Sequence, residues 1–230
     1  MQHLLVDLGH SRIKWVELDL SAHKWSPQAS FYTPETLQMT LFSVWSPLTP
    51  PDQIFISNVC TLQEKNILNA WIGRHWPNAN IQYPESDLKF SKIQNAYREA
   101  PKTLGVDRWL GIIATHYLYP ETNAVIIDCG TCITLDVLSI KSQHLGGWIV
   151  PGYTLLRQLL QTRAGLPAPI LENLKTSPVL GDNTLMGIEH GISLMFLGYL
   201  KEALQSVLKN CENPPQIVLT GGDAPYYYIV

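Results

Sequence analysis

From residue 3 the chain reads HLLVDLG, with apolar and polar positions in partial alternation, breaks at Gly9, His10 and Ser11, and resumes as RIKWVELDL. Period-two patterning on both sides of a short polar break predicts a β-hairpin. Helical spacing follows in PETLQMTLFSVW (34–45), then a strand over QIFISNV (53–59), a helix over TLQEKNILNAWIGRHW (61–76) and a short strand near NIQY. Residues 84–103 are polar and irregular, and a loop of that length inside a compact domain more often serves function than connection. A helix is expected from 106 to 119. A second cycle then begins: strand NAVIID, turn CGT, strand CITLDVL, strand HLGGWIV, and a helix over GYTLLRQLLQ started by Pro151. The 163–181 stretch is Pro-rich and loop-like, a long helix covers 183–209, and a last strand, QIVLT, leads to Gly221 and Gly222. Hairpins followed by alternating helices and strands, twice over, predict an α/β fold of two similar halves, 1–119 and 120–230.

Composition narrows the partners. The 230 residues are 46% hydrophobic, with 15 Gly and 16 Pro, an ordinary balance for a folded globular chain. The net charge is −3 and no three basic residues run together, so the chain lacks the electrostatic footprint of a nucleic-acid or anionic-membrane binder, and a small molecule is the expected partner. GISLMFLGYL (191–200) is about half a membrane span and is followed by Lys201 and Glu202, which predicts a buried helix. The start, MQHLLVDLGH, has no basic region and carries Asp7, unlike a signal peptide, so a cytoplasmic location is expected. Cys60, Cys129, Cys132 and Cys211 are then expected to be reduced.

The two hairpins share a motif. VDLGHSRIK (6–14) and IDCGTCITL (127–135) each place Asp-x-Gly at the end of an apolar strand, followed by small or polar residues. A glycine in such a turn frees backbone N–H groups to approach an anion closely, and an adjacent aspartate can hold a cation or its water shell. Ser11, Thr131, Thr134 and Lys14 supply further donors. One Asp-x-Gly alone reads as ordinary turn chemistry; two, each opening a half, point to a phosphate site. The rival reading of Cys129-x-x-Cys132 as a redox or metal motif is weak. A thioredoxin-type pair sits at a helix N-terminus, whereas β-rich ITLDVL follows here, and no second pair of zinc-ligand spacing exists.

Four blocks together resemble the type III pantothenate kinases, a branch of the sugar kinase, Hsp70 and actin superfamily. They are DLGHSRIK (7–14), NAYREAPKTLGVDRW (95–109), DCGTCITLD (128–136) and GGWIVPG (146–152), with lesser echoes in GDNTLMGIEHG and the closing TGG. The resemblance implies two ribonuclease-H-like halves, each a mixed sheet with flanking helices, in an actin-like fold that clasps ATP, the second half short at the C-terminus. It implies ATP-dependent phosphorylation of pantothenate to 4′-phosphopantothenate, the first step of coenzyme A synthesis. Asp107 is then the general base, with Tyr97, Gly105, Val106, Asp107, Arg108 and Thr184 contacting pantothenate. Asp7, Leu8, Gly9, His10, Ser11, Arg12, Ile13 and Lys14 form the nucleotide loop, Thr131 contacts ATP, and Asp128 binds a monovalent cation, K⁺ or NH₄⁺. Mg²⁺ is expected with ATP, and a homodimer is implied, with the 106–119 and 183–209 helices as contributors.

The chain departs from the family pattern in three places. His10 replaces the usual Asn, Cys132 replaces the usual Ala, and the chain runs only DAPYYYIV beyond TGG, where a further helix and strand are expected. That last departure raises an alternative, a catalytically weak regulatory or binding protein on the same fold, like the relatives described as accessory transcription factors. A kinase of another small hydroxyl compound is a third reading, against which Tyr97 and the Gly105–Arg108 stretch argue.

Overall fold

The computed structural model describes residues 2–19, 27–167, 179–209, 211 and 213–227. The chain divides into two compact units: residues up to 87 together with 100–110, and residues 88–99 together with those from 111 onward. Each has its own buried core.

The first unit opens with the expected hairpin, β1 (Gln2–Leu8) and β2 (Arg12–Asp19), and continues through β3 (Gln28–Phe31), α1 (Leu37–Trp45), β4 (Gln53–Asn58), α2 (Leu62–His75) and β5 (Asn80–Gln82). Its sheet has the order β3-β2-β1-β4-β5, with β1 antiparallel to β2 and parallel to β4. The alternation read in the sequence now has a cause. Leu4, Val6 and Leu8 of β1, Ile13 and Trp15 of β2, and Ile54 and Ile56 of β4 share a core with Leu37, Leu41 and Trp45, one turn apart on α1, and with Leu68, Trp71 and Ile72 of α2. Trp45 is fully buried, its ring 5.3 Å from Trp76, 5.7 Å from Trp71 and 6.4 Å from Trp15. Such aromatic packing supplies much of the apolar burial of a small unit. α2 begins with a capping box in which the Thr61 hydroxyl and the Glu64 carboxylate satisfy each other's backbone N–H groups.

The second unit contains a short hairpin, β6 (Lys89–Phe90) and β7 (Ile93–Gln94), inside the stretch expected to be irregular. α3 (Val106–Leu118) begins in the 100–110 segment of the first unit and continues into the second. There follow β8 (Ala124–Cys129), β9 (Cys132–Leu138), β10 (His144–Pro151), α4 (Tyr153–Ala164), α5 (Thr184–Leu208), β11 (Gln216–Thr220) and α6 (Ala224–Tyr227). The sheet order β10-β9-β8-β11, with β8 antiparallel to β9 and parallel to β11, repeats β3-β2-β1-β4. The doubling read from the two hairpins is therefore present in the topology. α5 buries Ile192, Phe196, Leu200, Ala203 and Val207, a stripe of three- and four-residue steps that fills this core. Among the described residues no helix is long and apolar enough to cross a membrane.

Two expectations need correction. Pro151 does not start a helix: it ends β10, opposite Cys132, and Gly152 is the N-cap of α4. β10 lies at the edge of its sheet, where a missing N–H is tolerated. The hydrophobic pattern does not predict β3, because QASF is a mostly exposed edge strand with no apolar alternation. The loop expected over 163–181 lies largely outside the described residues.

Candidate active site

In the first unit the hairpin register sets Asp7 directly opposite Lys14, and the lysine Nζ lies 2.9 Å from Asp7 Oδ2. Both side chains project from the face opposite the core, whereas their neighbours Leu8 and Ile13 are wholly buried. Leu8 and Ile13 can therefore offer a nucleotide only backbone groups. The turn closes through the Gly9 N–H, which donates to Arg12 O at 3.1 Å, leaving His10 exposed and Ser11 half-exposed at its tip. The Arg12 guanidinium lies 4.3 Å over the Phe31 ring.

The turn is held from beneath by residues that carry no sequence motif of their own. The Tyr32 hydroxyl donates to Gly9 O at 2.6 Å, and the Cys60 thiol donates to Leu8 O at 3.2 Å. Tyr32 also approaches Cys60 Sγ at 3.3 Å and Glu64 Oε1 at 3.2 Å. Burial pushes the Tyr32 phenol up, with Cys60 and Glu64 adding to it, and burial raises the Cys60 thiol to about 11, so both stay protonated as donors at neutral pH. With the Leu8 and Gly9 carbonyls tied down, the turn's N–H groups have a fixed frame. Tyr32→Phe is expected to weaken nucleotide binding about two- to tenfold, the worth of one net hydrogen bond, with little change at saturating nucleotide. An unchanged nucleotide Kd by titration calorimetry would contradict this role.

Asp107 stands in the first turn of α3, and its Oδ1 accepts the Arg108 N–H at 2.8 Å. A Cβ at Gly105 would come within 2.5 Å of that oxygen, so the glycine makes room for the carboxylate. Burial is the main cause of a raised Asp107 pKa; the Asp7 charge adds to it, while the Arg108 N–H and guanidinium oppose it. The site thus contains a desolvated carboxylate within electrostatic reach of the Asp7 turn. Arg108 is buried and Val106 half-buried.

The second unit repeats the turn with changes. Asp128, the penultimate residue of β8, faces Thr134 across the ladder, where Asp7 faces Lys14. The Gly130 N–H donates to Cys132 O at 3.0 Å, and Gly152 N–H to Thr131 O at 2.8 Å. Around Asp128 the backbone comes very close: Gly221, at φ +99°, would place a Cβ 2.5 Å from Asp128 Oδ1 and 2.3 Å from Cys129 O. Cys129 is buried in the core, its thiol pushed up to about 12 by burial and by the Asp128 and Asp223 charges, whereas Cys132 is exposed. The buried Cys129 thiol, held protonated, does not suit a thiolate nucleophile. Cys132→Ala is expected to leave activity and stability unchanged, and Cys129→Ala to cost about 1 kcal/mol of packing without loss of turnover; a large activity loss in either variant would revive a cysteine role.

Tyr97 lies just beyond β7, half-buried, its ring 6.2 Å from that of His144 and near parallel to it. Thr184 is the exposed first residue of α5, behind the N-cap Asn183, whose Oδ1 accepts Met186 N–H at 3.0 Å. The structure thus gathers Asp7, Gly9, Ser11, Lys14, Gly105 and Asp107 in the first unit. Asp128 and Thr131 stand together on one turn of the second, with Tyr97 and Thr184 on other elements of it.

Comparison with known proteins supports one family. The 28–32% identical relatives include type III pantothenate kinases of Nitrosococcus oceani (32% over 227 residues, 96% of this chain and 84% of that one) and Colwellia psychrerythraea (32%, the same coverage). Among solved structures, a Campylobacter jejuni protein assigned to the Baf family of transcriptional activators matches at 22% identity with a TM-score of 0.54, covering 98% of this chain and 88% of that one. The ethanolamine utilization protein EutJ of Carboxydothermus hydrogenoformans matches at 12% with a TM-score of 0.56, covering 99% and 78%. These two likenesses concern the fold. The family profile for type III pantothenate kinase spans residues 3–206, every block from the first Asp-x-Gly turn to α5, and the chain belongs to that family.

Proposed function

We propose that the chain transfers the γ-phosphoryl group of ATP to the 4′-hydroxyl of pantothenate, giving 4′-phosphopantothenate and ADP, the opening step of coenzyme A synthesis. The observation that carries this reading is the desolvated Asp107 carboxylate placed within electrostatic reach of the Asp7–Lys14 turn in a chain of this family. Phosphoryl transfer asks the protein for positioning, charge neutralisation and a base for the attacking hydroxyl. Asp107 takes the hydroxyl proton as that oxygen bonds to the γ-phosphorus and the bond to ADP breaks; the proton ends on the carboxylate. Lys14, the Ser11 hydroxyl and the N–H groups of the Gly9 turn receive the phosphates. The Asp7–Lys14 pair is half-exposed, so the lysine can exchange Asp7 for phosphate oxygens at small cost. Thr131 contacts the nucleotide, and Tyr97, Gly105, Val106, Arg108 and Thr184 contact pantothenate.

Asp128 is assigned a monovalent cation. The Gly221 and Cys129 backbone closes around its carboxylate where any side chain would intrude, a polar cradle that fits such an ion. Mg²⁺ is expected with ATP, where it would be held largely by the phosphates and water and would supply charge neutralisation for the transferred group. Potassium-dependent, pantothenate-dependent ADP release is expected from the wild type, and a markedly weakened potassium response from Asp128→Asn. Equal rates in sodium and potassium for both proteins would remove the cation assignment.

The regulatory alternative is not favoured, because Lys14, Asp107 and Asp128 are all present in a chain of a kinase family. A cytoplasmic homodimer belongs to the same proposal. Exposed apolar residues on α3 (Leu110, Tyr117, Leu118) and α5 (Leu194, Met195) are its candidate contacts, and sedimentation equilibrium gives the oligomeric state directly.

A further inference from the structure

His144 and Asp136 form a buried pair that the proposed chemistry does not use. Their side chains are 0% and 3% exposed, with His144 Nε2 2.9 Å from Asp136 Oδ1. The pair has a prepared place. Asp136 lies on β9 opposite Gly147 of β10, where a Cβ would fall 2.7 Å from the carboxylate and 2.0 Å from Leu135 O. The other ring nitrogen, Nδ1, lies 3.4 Å from the Ala96 backbone nitrogen. An amide N–H can only donate, so Nδ1 accepts, the ring proton sits on Nε2, and Nε2–H donates to Asp136. The two partners fix one neutral tautomer and one ring orientation.

That orientation passes directly to the neighbouring stretch. The Tyr97 ring lies near parallel to the imidazole, at 6.2 Å and 22°. Gln94 N–H donates to Ser142 O at 3.0 Å, and Tyr97 N–H donates to Asn95 Oδ1 at 2.9 Å. Residues 94–97, which lack regular structure beyond Gln94, are thereby held against the β9–β10 hairpin by the Gln94 bond, the Ala96 bond and the ring contact.

We propose that His144, oriented by Asp136, is a positioning residue for pantothenate: through Ala96 N–H and the Tyr97 ring it sets the tyrosine where the substrate meets it. His144 is buried and touches no substrate itself. The inference rests on the reading that Tyr97 contacts pantothenate.

A double-mutant cycle tests it on the full-length enzyme. Gln at 144 can retain a donor towards Asp136 but loses the ring and the Nδ1 acceptor; Asn can retain an acceptor near Nδ1. His144→Gln is expected to raise the pantothenate KM about tenfold while changing kcat and the ATP KM less than twofold, and His144→Asn to recover part of that loss. In a Tyr97→Ala background His144→Gln should add less than twofold, because its route to the substrate is gone. Multiplying penalties, or an equal rise in the ATP KM, would show a general structural role and overturn the proposal while leaving Tyr97 in place. A wild-type pantothenate KM in Tyr97→Ala would overturn the proposal together with the Tyr97 assignment. Should the His144 variants fail to fold, ¹⁵N spectra of the wild-type imidazoles decide: an Nε2–H tautomer shifted by pantothenate but not by a non-hydrolysable ATP analogue supports the proposal, and an Nδ1–H tautomer or no pantothenate response overturns it.

Discussion

Asp107→Asn is expected to lower kcat by about 10²–10⁴-fold, the usual contribution of a positioned general base, while leaving the fold intact. The two halves of that expectation come from the same observation. Burial and the Asp7 charge raise the Asp107 pKa, so ionisation of this carboxylate is less favourable in the folded protein than in the unfolded chain. For stability the sign follows: a group whose folded pKa is raised lets the folded state hold its proton to higher pH, so its ionised form opposes folding at neutral pH and that opposition fades as pH falls through the raised value. Asparagine keeps the shape and removes the charge. The variant should therefore melt no lower than the wild type while being close to inactive, a trade expected where a site stores unfavourable electrostatics for function. The same shift moves the acid limb of kcat/KM upward from where an ordinary aspartate would put it, since the base works only when deprotonated. A variant with near-normal kcat, or an acid limb at an unshifted value, would remove Asp107 from the base role.

Gly152→Ala is the second large effect. The residue has φ −78°, which alanine adopts freely, so the objection is one of space. An added Cβ would lie 2.2 Å from Gly130 O and 2.7 Å from Thr131 O, both backbone atoms of the Asp128 turn, and the Gly152 N–H is itself bonded to Thr131 O. Backbone cannot swing aside as a flexible side chain can, so the DCGT turn must shift. Overpacking of this kind costs about 1–3 kcal/mol, or roughly 2–4 °C in Tm for each kcal/mol in a chain of this size. Nucleotide affinity should fall with it, because Thr131 moves. Gly165→Ala, on the αL residue that ends α4 with nothing within 4 Å of its Cβ, is a control: a strained φ without a clash near the turn. It should cost stability but not nucleotide affinity. Loss of affinity in the control and not in Gly152→Ala would reverse the argument.

The hairpins and their repeated Asp-x-Gly turns were legible in the sequence because strand periodicity and glycine turn chemistry are local signals. The helix of Val106–Leu118 and the long α5 followed from 3.6-residue patterning in the same way. Other features were not legible, each for a physical reason. β3 is an exposed edge strand and shows no apolar alternation. The Tyr32–Cys60–Glu64 support under the Gly9 turn joins a strand-exit tyrosine to residues about thirty positions later; its only local signal is the Thr61–Glu64 capping box, which marks a helix start and says nothing of the turn. His144 and Asp136 meet because of hairpin register, and their link to Ala96 depends on where the polar 84–103 stretch docks. Pro151 read as a helix start because proline serves that role in many chains; its place on an edge strand became visible only with the sheet order.

The chain's expected reaction is the phosphorylation of pantothenate. Purified protein incubated with ATP, Mg²⁺, K⁺ and pantothenate, with products followed by mass spectrometry, tests it most directly. A product one phosphoryl group heavier than pantothenate, formed in step with ADP and absent when Asp107→Asn is used, is the predicted result. Folded protein that binds ATP yet forms no such product, in potassium or in ammonium, would contradict it.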